Sequence, residues 1–157
     1  MYNKLIDNQT KIIIDSFNQL NNKNSVIRDL TYLKTYSIDD SQTLEIDDAI
    51  SLEKIASQFR LWIHIACPTS YIEYNSDIDR NARKRISSLY LSTDTSYMLP
   101  EVLINEVFSL SLNEKRESIS LGVILNEDGS VYSSEIVLSL IKVDYRLNYT
   151  DADELID

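Results

Sequence analysis

The residues best suited to chemistry lie in one acidic segment, Asp39 to Asp48, which reads DDSQTLEIDD. Five of these ten residues are carboxylates, and the aliphatic residues Leu44 and Ile46 lie among them. A solvated acidic tail is poor in apolar residues and continuous in charge, so we expect this segment to belong to a folded domain. Carboxylates crowded within a fold raise one another's pKa values unless cations lie among them. The segment therefore predicts a site for a hard divalent metal ion.

A second charged cluster lies in the stretch from Asp77 to Ser87, which is predicted to form a helix. Its apolar residues Ile78, Ala82 and Ile86 recur every four positions and would share one helix face. The basic residues around that face are Arg80, Arg83, Lys84 and Arg85. Such a cluster either contacts a nucleic-acid backbone or forms a solvated helix face, and the sequence leaves both open.

Helical and strand patterns both surround these charged segments. Helical spacing predicts an amphipathic helix over residues 2–21, ended by the stretch Asn21–Asn24, and a helical turn from Pro100 to Val107. A short final helix should be capped by Thr150 or Asp151. The predicted strands are 36–39, 49–53, 59–67, 117–126 and 130–143, with 59–67 expected to be buried and a Gly-containing hairpin turn joining the last two. These elements predict an α+β fold with a mixed or antiparallel sheet and flanking helices.

The composition limits the classes of protein to which this chain can belong. At 157 residues, with 43% hydrophobic and 25% charged residues, the chain fits one globular domain. A single cysteine and no apolar run of signal-peptide or membrane-span length favour a cytoplasmic protein with no membrane partner. The net charge of -10 argues against a nucleic-acid-coating protein. It leaves room for a metal-dependent nuclease, because bound Mg²⁺ can supply the positive charge that meets a phosphate.

Six short motifs occur in a fixed order along the chain. They are IDDSQTLEIDDA from Ile38, HIA at His64 followed by Pro68, a spaced pattern from Ser76 to Leu91, MLP at Met98, FSL at Phe108 and RLNY at Arg146. Together they resemble the RNB catalytic domain of the ribonuclease II/R family, the hydrolytic 3′-to-5′ exoribonucleases. The resemblance covers the first half of such a domain. It implies an N-terminal helix and loop over residues 1–27 and a partial RNB domain over residues 28–157.

The resemblance implies Mg²⁺-dependent release of nucleoside 5′-monophosphates from single-stranded RNA, with no DNA substrate expected. Asp39, Glu45, Asp47 and Asp48 match the acidic positions around the metal ion, and Asp48 matches the acid on which catalysis depends. Tyr149 matches the tyrosine beside the scissile phosphate. Tyr90 matches an aromatic residue that stacks on a base, and Arg85 falls on a motif position suited to RNA contact.

Parts of the family pattern differ or are missing. Glu45 stands where many members have Asp, and Cys67 stands where Asp commonly follows the HIA motif. We interpret Cys67 as a small buried thiol at a strand end, and His64 as a strand residue with satisfied hydrogen bonds. The second half of the domain and the flanking OB-type modules, which full activity is expected to need, are not in this sequence.

The sequence also has two alternative interpretations besides a segment of an active enzyme. A truncated, non-catalytic remnant that binds RNA or metal weakly, or acts as a structural partner, stays open. A calcium-binding EF-hand loop starting at Asp39 is disfavoured, because Leu44 would occupy the glycine position and Ile50 the position of the bidentate Glu.

Overall fold

The structure, a computed structural model, describes residues 2–19, 27–91 and 95–156. The chain divides into two compact units. One contains residues 1–23 and 68–107, and the other contains residues 24–67 and 108–157. The predicted domain boundary at residue 28 stays a prediction. None of the described helices has the length and apolar character that a membrane crossing requires.

The second unit is built on a seven-stranded mixed sheet, as predicted. Its strands are β1 (Arg28–Asp29), β2 (Thr35–Ile38), β3 (Asp48–Ile55), β4 (Gln58–Ala66), β7 (Lys115–Leu125), β8 (Val131–Lys142) and β9 (Tyr145–Leu147). Their order across the sheet is β1-β8-β7-β4-β3-β2-β9. The outer pairs β1–β8 and β2–β9 are parallel, and the inner pairs are antiparallel. Helix α4 (Tyr149–Ile156) follows β9.

One face of this sheet is buried and unusually polar. Five buried side chains from four adjacent strands form a connected hydrogen-bond network: Ser51, His64, Ser118, Ser120 and Ser139. Packed with them is an apolar cluster that includes Leu30, Ile46, Trp62, Leu110 and Ile141. Buried hydroxyl groups are tolerated here because they find partners within the network.

The opposite face of the sheet is apolar and largely exposed. We call it the apolar face, and its residues are Ile50, Leu52, Phe59, Leu61, Ile63, Ile65, Ile119, Leu121, Val123, Ile136 and Leu138, which the strand register places side by side. Seven of them are between 39% and 73% exposed. The strand predicted to be buried over residues 59–67 is therefore buried on one face only: Trp62 and His64 are at 0% exposure, whereas Ile65 is at 47%.

The first unit contains helices and a short hairpin. Its elements are α1 (Tyr2–Gln19), α2 (Asp77–Arg85), α3 (Glu101–Leu103), and the pair β5 (Leu89–Tyr90) and β6 (Thr95–Ser96). A π-helical turn (Ile104–Phe108) follows α3, and its last residue is the first of the second unit's 108–157 segment. The side chain of Gln9 accepts a hydrogen bond from the backbone N–H of Ile78, 3.1 Å away, and so joins α1 to the start of α2. The helix predicted over 2–21 is confirmed to residue 19, and Asn21–Asn24 lie outside the described residues.

Two helix ends differ from prediction. Helix α2 ends at Arg85, and Ile86 adopts a positive φ of 71° that turns its side chain out to 83% exposure, so Ile86 does not share a buried face with Ile78 and Ala82. Helix α4 is capped by Asn148, not by Thr150 or Asp151. The Asn148 side chain accepts the N–H of Asp151 at 2.9 Å, and the Asp151 carboxylate accepts the N–H of Asn148 in return.

The predicted β7–β8 hairpin is confirmed. Its turn is closed by the backbone hydrogen bond from Asn126 N–H to the Ser130 carbonyl, 2.8 Å long. Gly129 has φ of 83°, the left-handed conformation that glycine adopts without strain. The long hairpin supplies two neighbouring strands of the sheet that positions the acidic segment.

Candidate active site

The acidic segment forms the loop between β2 and β3. Asp39 directly follows β2, and Asp48 is the first residue of β3. Because β2 and β3 are antiparallel neighbours, with Tyr36 opposite Ile50, the two ends of the loop are held close together. The sheet thus brings the four predicted metal ligands, Asp39, Glu45, Asp47 and Asp48, into one short connection.

The first half of this loop is folded by its own acidic side chains. Asp39 Oδ1 accepts the backbone N–H of Asp40 at 2.7 Å and the hydroxyl of Thr43 at 3.2 Å. The Asp40 carboxylate accepts the backbone N–H of Gln42 at 2.8 Å. One carboxylate oxygen of Asp39 and one of Asp40 therefore accept hydrogen bonds within the turn. Such Asx turns are the usual way in which Asp stabilises a tight loop.

Asp47 carries the clearest electrostatic signature of the site. Desolvation of its carboxyl group, together with the negative charges of Glu45, Asp48 and Asp39, raises its pKa to about 6. The residue as a whole is exposed. A carboxylate whose neighbours oppose its charge gains from a nearby cation.

The donor chemistry fits Mg²⁺, which binds oxygen ligands and commonly uses one or two carboxylates together with water and phosphate oxygens. Among the residues that the structure describes, no three histidine, cysteine or acidic side chains already stand close enough to share one ion. The arrangement is an open group of carboxylates rather than a preformed cage. Such a group leaves coordination positions for water and a substrate phosphate.

Arg146 of β9 holds the loop from one side. Its Nη2 atom donates to the backbone carbonyls of Asp40, Ser41 and Thr43, at 3.2, 3.4 and 2.6 Å. Strand β9 is positioned for this because it pairs in parallel with β2, with Arg146 opposite Ser37.

Ser109 holds the loop from another side. Its hydroxyl group accepts the backbone N–H of Ile46 at 3.0 Å and donates to the carbonyl of Leu44 at 2.8 Å. The backbone N–H of Leu110 donates to the Ile46 carbonyl at 2.9 Å, and that of Ala66 to the Asp47 carbonyl at 2.8 Å. The residues on both sides of Glu45 are therefore fixed by partners far away in sequence.

Tyr149 lies at the same end of the sheet as Asp39. It begins α4, two residues after β9, whose last residue Leu147 pairs with Ile38. The Leu147 carbonyl accepts the backbone N–H of Asp39 at 3.1 Å. The Tyr149 side chain is 61% exposed, so its ring is accessible.

The two predicted RNA-binding residues, Tyr90 and Arg85, lie in the other compact unit. Tyr90 is on β5 and is 60% exposed. Arg85 donates from Nη1 to the Tyr97 carbonyl at 2.6 Å and lines an open cavity with Asn81, Tyr97 and Glu101. The structure thus places the metal candidates and Tyr149 in one compact unit, and Tyr90 and Arg85 in the other.

The basic cluster on α2 is partly neutralised within the helix. Arg80 pairs with Asp77 three residues earlier, and Arg83 pairs with Asp79 at 2.8 Å four residues earlier. Arg83 also lies over the ring of Tyr74, 5.2 Å from its centroid. For these two arginines the structure favours the interpretation as a solvated helix face.

His64 and Cys67 take the structural positions expected for them. The two ring nitrogens of His64 contact the hydroxyls of Ser51 at 2.8 Å and Ser120 at 2.6 Å, and burial lowers the His64 pKa to about 4. A neutral imidazole inside the sheet is therefore a structural group. Cys67 is 6% exposed and directly follows β4.

Sequence reasoning did not assign roles to Arg146 and Ser109. Both fall within motifs, RLNY and FSL, which the sequence analysis used for the resemblance alone. Their contacts with the loop span at least 63 positions in the chain. Their motif membership was the signal that could have marked them as partners of the acidic segment.

The model of the RNB domain family matches residues 27–157 of this chain. Among curated relatives, an uncharacterized ribonuclease of Synechocystis is 46% identical over 129 residues, which are 82% of this chain and 19% of the relative. A chloroplastic/mitochondrial ribonuclease II of Arabidopsis thaliana is 39% identical over 129 residues, 82% of this chain and 16% of the relative. The chain thus spans less than a fifth of the length of these relatives.

Among solved structures, RNase R of Mycoplasma genitalium, in complex with ribose methylated single-stranded RNA, has a similar fold. The TM-score is 0.80 and the sequence identity is 26%, with 93% of this chain and 24% of that chain covered. The same protein has also been solved with double-stranded RNA, with a TM-score of 0.79, 27% identity and coverage of 90% of this chain and 27% of that chain.

Proposed function

Because the chain belongs to the RNB domain family, we propose that it carries the metal-binding side of the active site of a 3′-to-5′ exoribonuclease. The observation that carries this proposal is the loop between β2 and β3. Its carboxylates at positions 39, 45, 47 and 48 match the acidic motif in the resemblance to the family. Desolvation, together with the negative charges of Glu45, Asp48 and Asp39, raises the pKa of Asp47 to about 6. The substrate we propose is single-stranded RNA, and the product is nucleoside 5′-monophosphate.

The proposed reaction is hydrolysis of the terminal phosphodiester bond. A water molecule attacks phosphorus, the bond from phosphorus to the 3′ oxygen breaks, and that oxygen takes up a proton. Asp39, Glu45, Asp47 and Asp48 would hold Mg²⁺, which when bound activates the water and neutralises charge at the leaving oxygen. The rigid start of β3 would hold Asp48 in place, and the accessible ring of Tyr149 would orient the scissile phosphate.

The remaining proposed contacts concern the RNA chain. Tyr90 would stack on a base, because its exposed ring offers the apolar surface that bases of any sequence can use. Arg85 would contact the RNA backbone beside it. Both assignments rest on motif positions and on exposure within their own compact unit.

We further propose that full activity needs a second layer of protein over the apolar face. Contiguous exposed apolar surface beyond a few hundred Å² marks an interaction site, and seven residues of the apolar face are between 39% and 73% exposed. The remainder of an RNB domain would supply this cover, and OB-type modules would guide the RNA. The isolated chain would then be inactive, which is also the behaviour of a non-catalytic remnant.

A cytoplasmic location is proposed from the single cysteine, Cys67.

A chimera tests the proposal and separates it from the remnant. Residues 27–157 would replace the matching segment of an active full-length RNase R, and the purified chimera would be incubated with 5′-labelled single-stranded RNA and Mg²⁺. We expect release of mononucleotides that chelation of the metal stops. A chimera that folds and binds RNA as tightly as its parent, yet releases no mononucleotide, would contradict the proposed function and support the remnant.

A further inference from the structure

The acidic loop needs restraint from outside itself. Five carboxylates within ten residues carry like charges that repel one another. The hydrogen bonds that Asp39 and Asp40 accept stabilise only the turn from residue 39 to residue 43. The segment from Leu44 to Asp47, which carries two of the predicted ligands, depends on partners elsewhere in the chain.

Arg146 is suited to restrain the first half of the loop. Its planar guanidinium group carries five N–H donors in a fixed fork, and its Nη2 atom donates to three loop carbonyls, those of Asp40, Ser41 and Thr43. These hydrogen bonds oppose the spreading of the backbone that repulsion among the carboxylates favours.

Ser109 is suited to restrain the second half. It is 1% exposed, and its one hydroxyl donates to Leu44 and accepts from Ile46, the two neighbours of Glu45. Its own backbone carbonyl accepts Nε of the buried Arg116 at 3.0 Å, which holds Ser109 in place. Replacement by alanine would leave two backbone groups of the loop without this partner.

We propose that Arg146 and Ser109 are positioning residues that clamp the acidic loop from two sides and thereby set its affinity for a divalent ion. The inference rests on the proposed function, and it deepens that function by naming the residues that prepare the metal site. Neither residue contacts the metal or RNA in this proposal. They act through the backbone between positions 40 and 46.

The experiment compares Arg146→Met, Arg146→Lys and Ser109→Ala with the wild-type chain. The control is Arg28→Met, which removes an equivalent guanidinium from the far edge of the same sheet, where it pairs with Glu135 at 2.9 Å. Amide hydrogen exchange measured by NMR reports loop order, and electron paramagnetic resonance with Mn²⁺ reports affinity for a divalent ion. Hydrogen exchange is measured at a backbone amide that the substituted side chain does not contact. This amide is Ile46 for the Arg146 variants and Thr43 for Ser109→Ala.

We expect at least about tenfold faster exchange at these remote amides and about 10- to 100-fold weaker Mn²⁺ binding in Arg146→Met and Ser109→Ala. Arg146→Lys should recover part of the Mn²⁺ affinity, because its ammonium group can still donate to a loop carbonyl although it lacks the fork of the guanidinium. Arg28→Met should change neither measurement.

Unchanged exchange at both remote amides would overturn the proposal, as would equal losses of Mn²⁺ affinity in Arg28→Met. If wild-type chain binds no Mn²⁺, the metal part of the proposed function and the effect on ion affinity both fail. Exchange at Ile46 and Thr43 then still decides whether the two residues clamp the loop.

Discussion

Asp48 lies directly opposite Ile65 in the antiparallel pair of β3 and β4, and both side chains are exposed on the apolar face. Ile50, two residues along β3, extends the same row of side chains. The acid predicted to be essential for catalysis therefore stands at the border between the acidic loop and the apolar face. Any protein layer that covers this face also withdraws water from Asp48, which strengthens its attraction to a cation.

Replacement of Asp48 by Asn tests its catalytic role. In the chimera described above, Asp48→Asn should lower the rate of mononucleotide release by more than about 100-fold, since even outer-shell partners of metal ligands cost about 10- to 100-fold. RNA affinity, measured by fluorescence anisotropy, should change by less than about threefold because the RNA contacts lie elsewhere. An active Asp48→Asn chimera would remove Asp48 from the catalytic role.

Asp47→Asn should stabilise the chain at neutral pH. Folding raises the Asp47 pKa to about 6 from its ordinary value of 3.8, so the folded state binds the proton more tightly and loses stability as pH rises from about 4 to 6. The variant should therefore gain about 1 kcal/mol at pH 7, a figure reduced for the exposure of the side chain, and little at pH 4. Urea unfolding at both pH values measures this.

The matched control is Asp153→Asn, which removes an exposed charge from α4. An equal gain in the control would show that general charge reduction, and not crowding in the loop, is responsible.

Metal affinity should change with pH in the opposite direction to the stability of the fold. Mn²⁺ affinity of the wild type should fall as pH drops below about 6, because the ligand must be deprotonated.

His64 should make the fold sensitive to acid. Burial lowers its pKa from 6.5 to about 4, so the unfolded chain takes up a proton in a range where the folded chain does not. The contribution of the neutral His64 to the free energy of unfolding is fully present above pH 6.5 and is lost as pH falls to about 4, a change of about 3 kcal/mol. Urea unfolding from pH 7 to pH 4 should show a flatter pH dependence for His64→Gln than for wild type, although the variant is less stable at pH 7. Parallel curves for the two proteins would contradict the assignment.

The apolar face should drive self-association of the isolated chain. Ile136→Lys places a charge on β8, at the most exposed residue of this face, and should weaken association by about tenfold or more, because burial of one isoleucine contributes about 1.5–3 kcal/mol. Leu155→Lys is the control, since it makes the same kind of change on α4 at a residue that is 71% exposed. Sedimentation velocity over a range of concentrations measures both. Equal effects of the two substitutions would argue against the apolar face as the surface through which the chain self-associates.

Local pattern was enough to predict most elements of this fold. The apolar run around Trp62, the glycine turn at Gly129 and the amphipathic spacing of Ile78 and Ala82 correctly predicted a strand, a hairpin and a helix, respectively. Local pattern failed at helix ends such as Ile86 and Asn148, where a single φ angle or a reciprocal side-chain bond decides the boundary.

The sequence by itself determined the spacing of the acidic residues and the resemblance to the RNB family, because both are properties of neighbouring residues in the chain. Only the tertiary structure decided what holds that loop. Arg146 and Ser109 reach it across more than 60 intervening residues through the pairing of β9 with β2 and the packing of the segment at Leu110. It also decided which sheet face is buried. Alternation along a strand defines two faces, but whether the serines or the isoleucines meet protein depends on the layers that the chain folds against them.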